Sequence, residues 1–249
     1  MSVLGVDISK FQGSFPFAKA KAEGREFCII QAGYGTSTGI SEDPMMLTNV
    51  GAARAAGLRV GFYFFAYPTR QTPAAAAESF WKLIEPHYKK GSDLLPALDF
   101  EVPYTNWTWA LEFCEYIAKR AGGCIFYSYL ADIQENVKPP ALAKYPLWLA
   151  DYSSTIPAPP APWARIAIWQ KADKDGVTGM SVDLDVAESL AGLVARRPRY
   201  WHLIVEAGGR IRGNVRIGGG RSKKLLRPVW LAGLARKYGK LRIFRRLGK

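Results

Sequence analysis

The chain has 249 residues, 49% of them hydrophobic, a mean hydropathy of −0.07 and a net charge of +13. That size suits one large α/β domain, or a domain of about 200 residues with an appendage, and no apolar run approaches the roughly 18 residues that cross a bilayer. Three cysteines without a CxxC pair and only two histidines leave no disulfide framework, no metal cluster and little for a Ser-His-Asp or Cys-His hydrolase. Chemistry therefore falls to carboxylates, and no cofactor or metal is expected.

Along the first 190 residues, short apolar runs alternate with amphipathic stretches, the pattern of βα units around a mostly parallel sheet. Strands are predicted at 3–7, 27–32, 59–65, 95–100, 123–127, 147–151 and 166–170, most of them continuously apolar, as strands covered on both faces are. Helices are predicted at 17–23, 44–56, 73–85, 107–120 and 131–137. Thr72-Pro73 supplies an N-cap followed by proline at the first helical position, and Gly57 a helix stop. A proline-rich loop at 153–162 and strand-to-strand succession after it predict a barrel that is β/α in its first half and irregular in its second. The glycine-rich 176–185 reads as turns, and 187–194 as a closing helix.

Charge marks a boundary at residue 195. Residues 1–195 carry seventeen Lys/Arg against twenty Asp/Glu, whereas 196–249 carry seventeen against Glu206 alone. The expected organisation is a barrel over 1–195 and a small basic region over 196–249. In the latter, 201–217 suits a hairpin, and 222–247 spaces Leu225, Val229, Trp230, Leu234, Tyr238, Leu241 and Phe244 as a basic amphipathic helix. Such a region attracts polyanions, and envelope polymers or anionic lipids are its expected partners. Nucleic acid is not expected as the dedicated partner, because the first region is neutral to acidic and shows no basic groove. The opening Met1-Ser2-Val3-Leu4-Gly5 carries neither a basic n-region nor a long apolar h-region, which predicts synthesis in a cytoplasm without Sec export.

The most informative stretch is Leu94-Leu95-Pro96-Ala97-Leu98-Asp99-Phe100-Glu101. Side chains alternate along a strand, so Asp99 and Glu101 point to one side and Phe100 to the other. The C-terminal strand ends of a β/α barrel form its active face. Two close carboxyls push at least one pKa up, and glycoside hydrolysis needs a protonated acid beside an ionised partner. Alone, so short a pattern as Asp-x-Glu is better read as helix capping or a salt bridge. Asp7 at the end of the first strand and Asp183 after the glycine-rich turn add acids from distant segments, with Asp185 a rival for the last place. Structural roles rarely call for such a gathering. Aromatic side chains at strand ends suit sugar rings, whose apolar faces are bordered by hydroxyls. Tyr63, Phe65, Tyr127 and Trp148, with Gln170, are the candidate binding residues.

Taken in order, several passages resemble the muramidases of glycoside hydrolase family 25. They are Gly5-Val6-Asp7-Ile8-Ser9-Lys10-Phe11-Gln12-Gly13, Phe27-Cys28-Ile29-Ile30-Gln31-Ala32-Gly33-Tyr34-Gly35 and Gly61-Phe62-Tyr63-Phe64-Phe65. Leu98-Asp99-Phe100-Glu101, Phe126-Tyr127-Ser128-Tyr129, Leu147-Trp148-Leu149-Ala150-Asp151-Tyr152, Trp169-Gln170 and Val182-Asp183-Leu184-Asp185 complete the set. The resemblance implies an irregular, flattened (β/α) barrel and cleavage of the β-1,4 bond between N-acetylmuramic acid and N-acetylglucosamine in bacterial peptidoglycan. It implies Glu101 as acid/base, Asp99 as its charge-stabilising partner, and Asp7 and Asp183 as tuning and positioning acids. Two departures stand out: Phe64 follows Tyr63 where the family has His or Trp, and Asp185 stands where it has Asn. A chitinase-like Asp-x-x-Asp-x-Asp-x-Glu would need Asp at Leu94 and Ala97. A non-catalytic wall-binding protein on the same scaffold is the other alternative. A lysozyme without a Sec signal resembles a phage endolysin, which acts on the wall after release at lysis.

Overall fold

The computed structural model describes residues 2–174, 179–195, 200–207, 210–219 and 241–246. The chain forms two compact units, Met1–Ala195 and Arg196–Lys249.

In the first unit, β1 (Val3–Ile8), β2 (Arg25–Thr36), β4 (Arg59–Phe65), β5 (Ala97–Asp99), β6 (Ile125–Tyr129), β7 (Leu147–Ala150) and β8 (Ile168–Ala172) lie side by side and parallel. The last barrel strand, β9 (Asp183–Ala187), runs antiparallel to both β8 and β1 and closes an eight-stranded barrel. β3 (Gly39–Glu42) lies outside the ring as a hairpin on the end of β2. Gly33 permits that hairpin, because a Cβ there would sit 2.2 Å from the Ser41 carbonyl oxygen.

Alternation along the strands divides the apolar side chains between two cores. Phe27, Ile29, Ala97, Ile125, Trp148 and Ile168 fill the barrel interior. Cys28, Ile30, Phe62, Phe64, Leu98, Phe126, Leu147 and Leu149 pack outward under the helices. Those helices are α1 (Phe17–Ala22), α2 (Met46–Ala55), α3 (Pro73–Ile84), α4 (Thr108–Ala121) and the short α5 (Leu130–Glu135). Thr72 caps α3 through Oγ1, which accepts from the Ala75 N–H at 3.3 Å. α4 ends on left-handed Gly122, as glycine permits. Phe113 of α4 stacks on Phe64 of β4 with ring centroids 5.4 Å apart. After α5, among the described residues, only a 3-10 turn at Pro140–Lys144 interrupts strand and loop. The second half of the barrel thus lacks the helical cover of the first, as expected.

Three expectations are corrected. The stretch 187–194 is not a closing helix: β9 ends at Ala187, turns follow, and Val194 bridges to Leu94. Asp183 and Asp185 lie in a strand, not a turn. In the second unit, β10 (Tyr200–Ala207), β11 (Arg210–Gly219) and β12 (Leu241–Arg246) form an antiparallel sheet in the order β11-β10-β12. Leu241–Arg246 is therefore strand rather than the end of an amphipathic helix. Gly239 interrupts the helical spacing there, and Ile243-Phe244 favour a pleated surface. The rest of that predicted helix lies outside the described residues.

Candidate active site

The parallel strands all end at one mouth of the barrel, and the inward residue of each last pair faces it. The result is a cleft of about 230 Å³ lined by side chains from every barrel strand. Asp7, Asp99, Glu101, Asp183, Tyr63, Phe65, Tyr127, Trp148 and Gln170, the nine residues singled out in the sequence, all line it. β9 explains how Asp183 arrives. Its antiparallel register sets Asp183 opposite Asp7, and Asp185 opposite Gly5 one layer deeper. Gly5 leaves that layer open to the Phe27 ring, which an added Cβ would meet at 2.3 Å.

Hydrogen bonds fix the floor. Gln170 Nε2 donates to Asp7 Oδ2 at 2.8 Å, while Gln170 Oε1 accepts from the Tyr127 hydroxyl at 2.9 Å and the Tyr152 hydroxyl at 3.2 Å. Trp148 Nε1 donates to Asp185 Oδ1 at 2.8 Å. Asp99 Oδ1 is buried without a hydrogen-bond partner. Rings line the walls: Tyr127 and Trp148 are 4.6 Å apart, and Tyr63 meets Trp148 edge-on at 6.2 Å.

Among the described residues, no Lys, Arg or His lines this cleft. Its acids therefore carry the cost of burial and of each other with no opposite charge in the cleft to offset it. Burial, with the neighbouring Asp132 and Asp183 charges, raises Glu101 to about 6, although the nearby Tyr127 hydroxyl pulls it down. Burial raises Asp183 to about 6 as well. Asp99 is held well above the usual carboxylate range by burial and then by Glu101 and Asp183. Asp7 is raised likewise by burial, Asp185 and Asp183, against the pull of its Gln170 bond. At least one carboxyl of such a cluster stays protonated near neutrality, and half-buried Glu101 is more accessible than buried Asp99.

The rim holds residues the sequence did not single out: Ser9, Phe11, Gln12 and Gln31. Ser9 and Gln12 form a reciprocal capping box, and buried Asp43 accepts from the Lys10 and Met45 N–H groups at 2.8 Å each. These bonds hold Phe11, 81% exposed, at the edge of the cleft. Gln31 lies two residues beyond Ile29 on the same inward face, so strand alternation was the signal that could have found it. The loop residues had no periodicity to betray them.

Comparison with known proteins agrees with this architecture. Residues 6–180 match the family model "Glycosyl hydrolases family 25". An autolytic lysozyme of Clostridium acetobutylicum is 27% identical over 195 residues, 76% of this chain and 56% of that protein. Lysozyme M1 of Streptomyces globisporus is 26% identical over 197 residues, 74% of this chain and 66% of that protein. The chain thus spans less than two thirds of the length of either curated relative. The solved muramidase from Trichobolus zukalii superposes with a TM-score of 0.66 at 30% identity, covering 77% of this chain and 96% of that one. With the family model matched over most of its barrel, the chain belongs to glycosyl hydrolases family 25.

Proposed function

We propose that the chain is a retaining muramidase that cleaves the β-1,4 bond between N-acetylmuramic acid and N-acetylglucosamine in bacterial peptidoglycan. The observation that carries this reading is Glu101. It is a half-buried carboxyl raised to about 6, placed beside Asp99 in a cleft walled by aromatic rings. A group with that pKa holds a proton for a leaving oxygen and, once ionised, can take one from water. The name shared by the relatives, lysozyme or muramidase, supports the same substrate.

In this mechanism the Glu101 carboxyl protonates the glycosidic oxygen as the bond to the anomeric carbon breaks. The carbonyl oxygen of the substrate's own N-acetyl group closes on that carbon from the opposite face. Asp99, whose Oδ1 has no partner within the protein, accepts from the acetamido N–H and stabilises the positive charge that spreads over the ring. Water, deprotonated by the Glu101 carboxylate, then opens the intermediate with net retention. Asp7 and Asp183 shape the field around the pair, Tyr63, Phe65, Tyr127 and Trp148 face the sugar rings, and Gln170 holds Asp7. The basic 196–249 region serves as an electrostatic anchor to anionic envelope polymers or lipids, and the enzyme acts on the cell wall.

The test is muropeptide analysis of purified walls digested by wild type and by Glu101→Gln. New reducing ends at muramic acid are expected from wild type, with a loss of at least about a hundredfold in the variant. Wall binding with no new ends from either protein would replace the enzyme with a carbohydrate-binding protein.

A further inference from the structure

Beneath the acid pair lies a third kind of carboxyl. Asp185 is 0% exposed and sits in the barrel interior between Gly5 of β1 and Gln170 of β8. Trp148 Nε1 satisfies its Oδ1, but its Oδ2 meets no donor. An ionised carboxylate with one oxygen unserved and fully dehydrated is among the most expensive groups a protein can bury. The groups that face it are Asp7 from β1, Trp148 from β7, Gln170 from β8 and Asp183 from its own strand, with the Cys28 thiol of β2 within electrostatic reach. From β4, Tyr63 faces Asp7. None of these is a cation.

The carboxyl in hydrogen-bonding reach of Asp185 is that of Asp7, which Asp183 reaches as well from the layer above. Two carboxylates only repel one another, and a hydrogen bond between them requires a proton on one. Asp7 is the better anion of the two. Each accepts one hydrogen bond at 2.8 Å, Asp7 from Gln170 Nε2 and Asp185 from Trp148 Nε1, but only Asp7 keeps any exposure, 6% at the cleft floor against 0%. Resting on the muramidase reading of this cleft, we propose that Asp185 is a positioning residue that keeps its proton and donates it through Oδ2–H to the Asp7 carboxylate. Asp7 is thereby held between two donors, Gln170 from one side and Asp185 from below. Burial pushes Asp185 and Asp7 alike well above the usual carboxylate range, so the pair keeps a proton between them near neutrality. An amide could make the same hydrogen bond, and Asp185 is one of the two departures from the family pattern. Here the donor is a proton that can be lost.

Two readouts test this on the full chain. Infrared difference spectra of wild type minus Asp185→Asn, taken at neutral pH, report the state of one carboxyl without any substrate. The expected difference is the carbonyl stretch of an un-ionised acid. A difference in the ionised carboxylate band instead would overturn the proposal. The second readout compares Asp185→Asn with Asp185→Ala on purified walls, after circular dichroism has established that each is folded. The amide keeps a donor to Asp7 and the alanine does not, so the Asn variant should exceed the Ala variant by about tenfold or more in kcat. Equal impairment of both, with the wild type active, would also overturn it. Should Asp185→Ala fail to fold, the infrared result alone decides. An inactive wild type would sink the muramidase reading while leaving the infrared test of Asp185 standing.

Discussion

Tyr127 links the two halves of the proposed mechanism. Its hydroxyl donates to Gln170 Oε1 at 2.9 Å, and Gln170 in turn holds Asp7. The same hydroxyl lies beside Glu101 and lowers its pKa, against the burial that raises it. It has one proton, seated on Gln170 in this structure. Turned toward Glu101, it would stabilise the carboxylate form. Replacing it with phenylalanine removes that option and leaves the burial, so the Glu101 carboxyl should hold its proton to higher pH. For a general acid the sign is fixed: kcat/KM falls once the acid ionises, and a raised pKa delays the fall. In wild type the descending limb of kcat/KM is expected near pH 6. In Tyr127→Phe it should move upward by up to about one pH unit, with a lower maximum because Gln170 loses a donor. A limb that stays in place, or moves to lower pH, would separate Tyr127 from Glu101.

Legibility in the sequence depended on whether an element's own residues dictated it. β4 was predicted with the bounds it has, Arg59–Phe65, because a continuous apolar run between Gly57 and the Thr72-Pro73 cap allows little else. α3 was legible from its own start at Thr72-Pro73, and α4 from the amphipathic stretch 107–120. β9 was not, since Val182-Asp183-Leu184-Asp185 has three features of a loop, namely two acids and a glycine-rich approach. What makes it a strand is tertiary: β1 and β8 offer two open edges, and pairing to both closes the barrel. The acids then become tolerable because they alternate inward, to a cleft and to Trp148. β3 was missed likewise, for it pairs only with the extension of β2. In the basic region, a three-to-four spacing of apolar residues pointed to helix, yet Leu241–Arg246 pairs with β10. At the site, strand alternation is enough to bring out Asp99 with Glu101, and the same alternation along β2 reaches Gln31. Asp185 needed the register: only opposite Gly5, beneath Asp7, does it become distinct from Asp183.

At the scale of the whole molecule, two opposite charge distributions share one chain. The basic region, with seventeen Lys/Arg against a single acid, should govern attachment to the wall. Its attraction to anionic polymers is screened over about 8 Å at physiological ionic strength. Co-sedimentation of the full chain with isolated walls should therefore weaken steeply as salt rises from low to physiological levels, and weaken again when anionic polymers are stripped from the wall. Binding indifferent to both would remove the electrostatic anchor.

The acid cluster of the barrel should govern stability. In the unfolded chain its carboxyls titrate near the ordinary values of 3.8 for Asp and 4.5 for Glu. Folded, Glu101 and Asp183 titrate near 6, and Asp7, Asp99 and Asp185 higher than their ordinary value. Between those limits the native state binds more protons than the unfolded state, so stability falls as pH rises. The contribution is complete below the unfolded values and is lost as pH passes through the folded ones. Carboxylates held low act oppositely, but Glu78 with Lys82 and Glu115 with Lys144 are exposed pairs, whose effect solvent screens. Calorimetry should therefore find the barrel's melting temperature declining from about pH 5 toward pH 8. Glu101→Gln, which removes one of the titrating groups, should make that decline shallower. A melting temperature that climbs over the same range would mean that the cleft acids are ionised and compensated in the native state, and the proton held for catalysis would have to come from elsewhere.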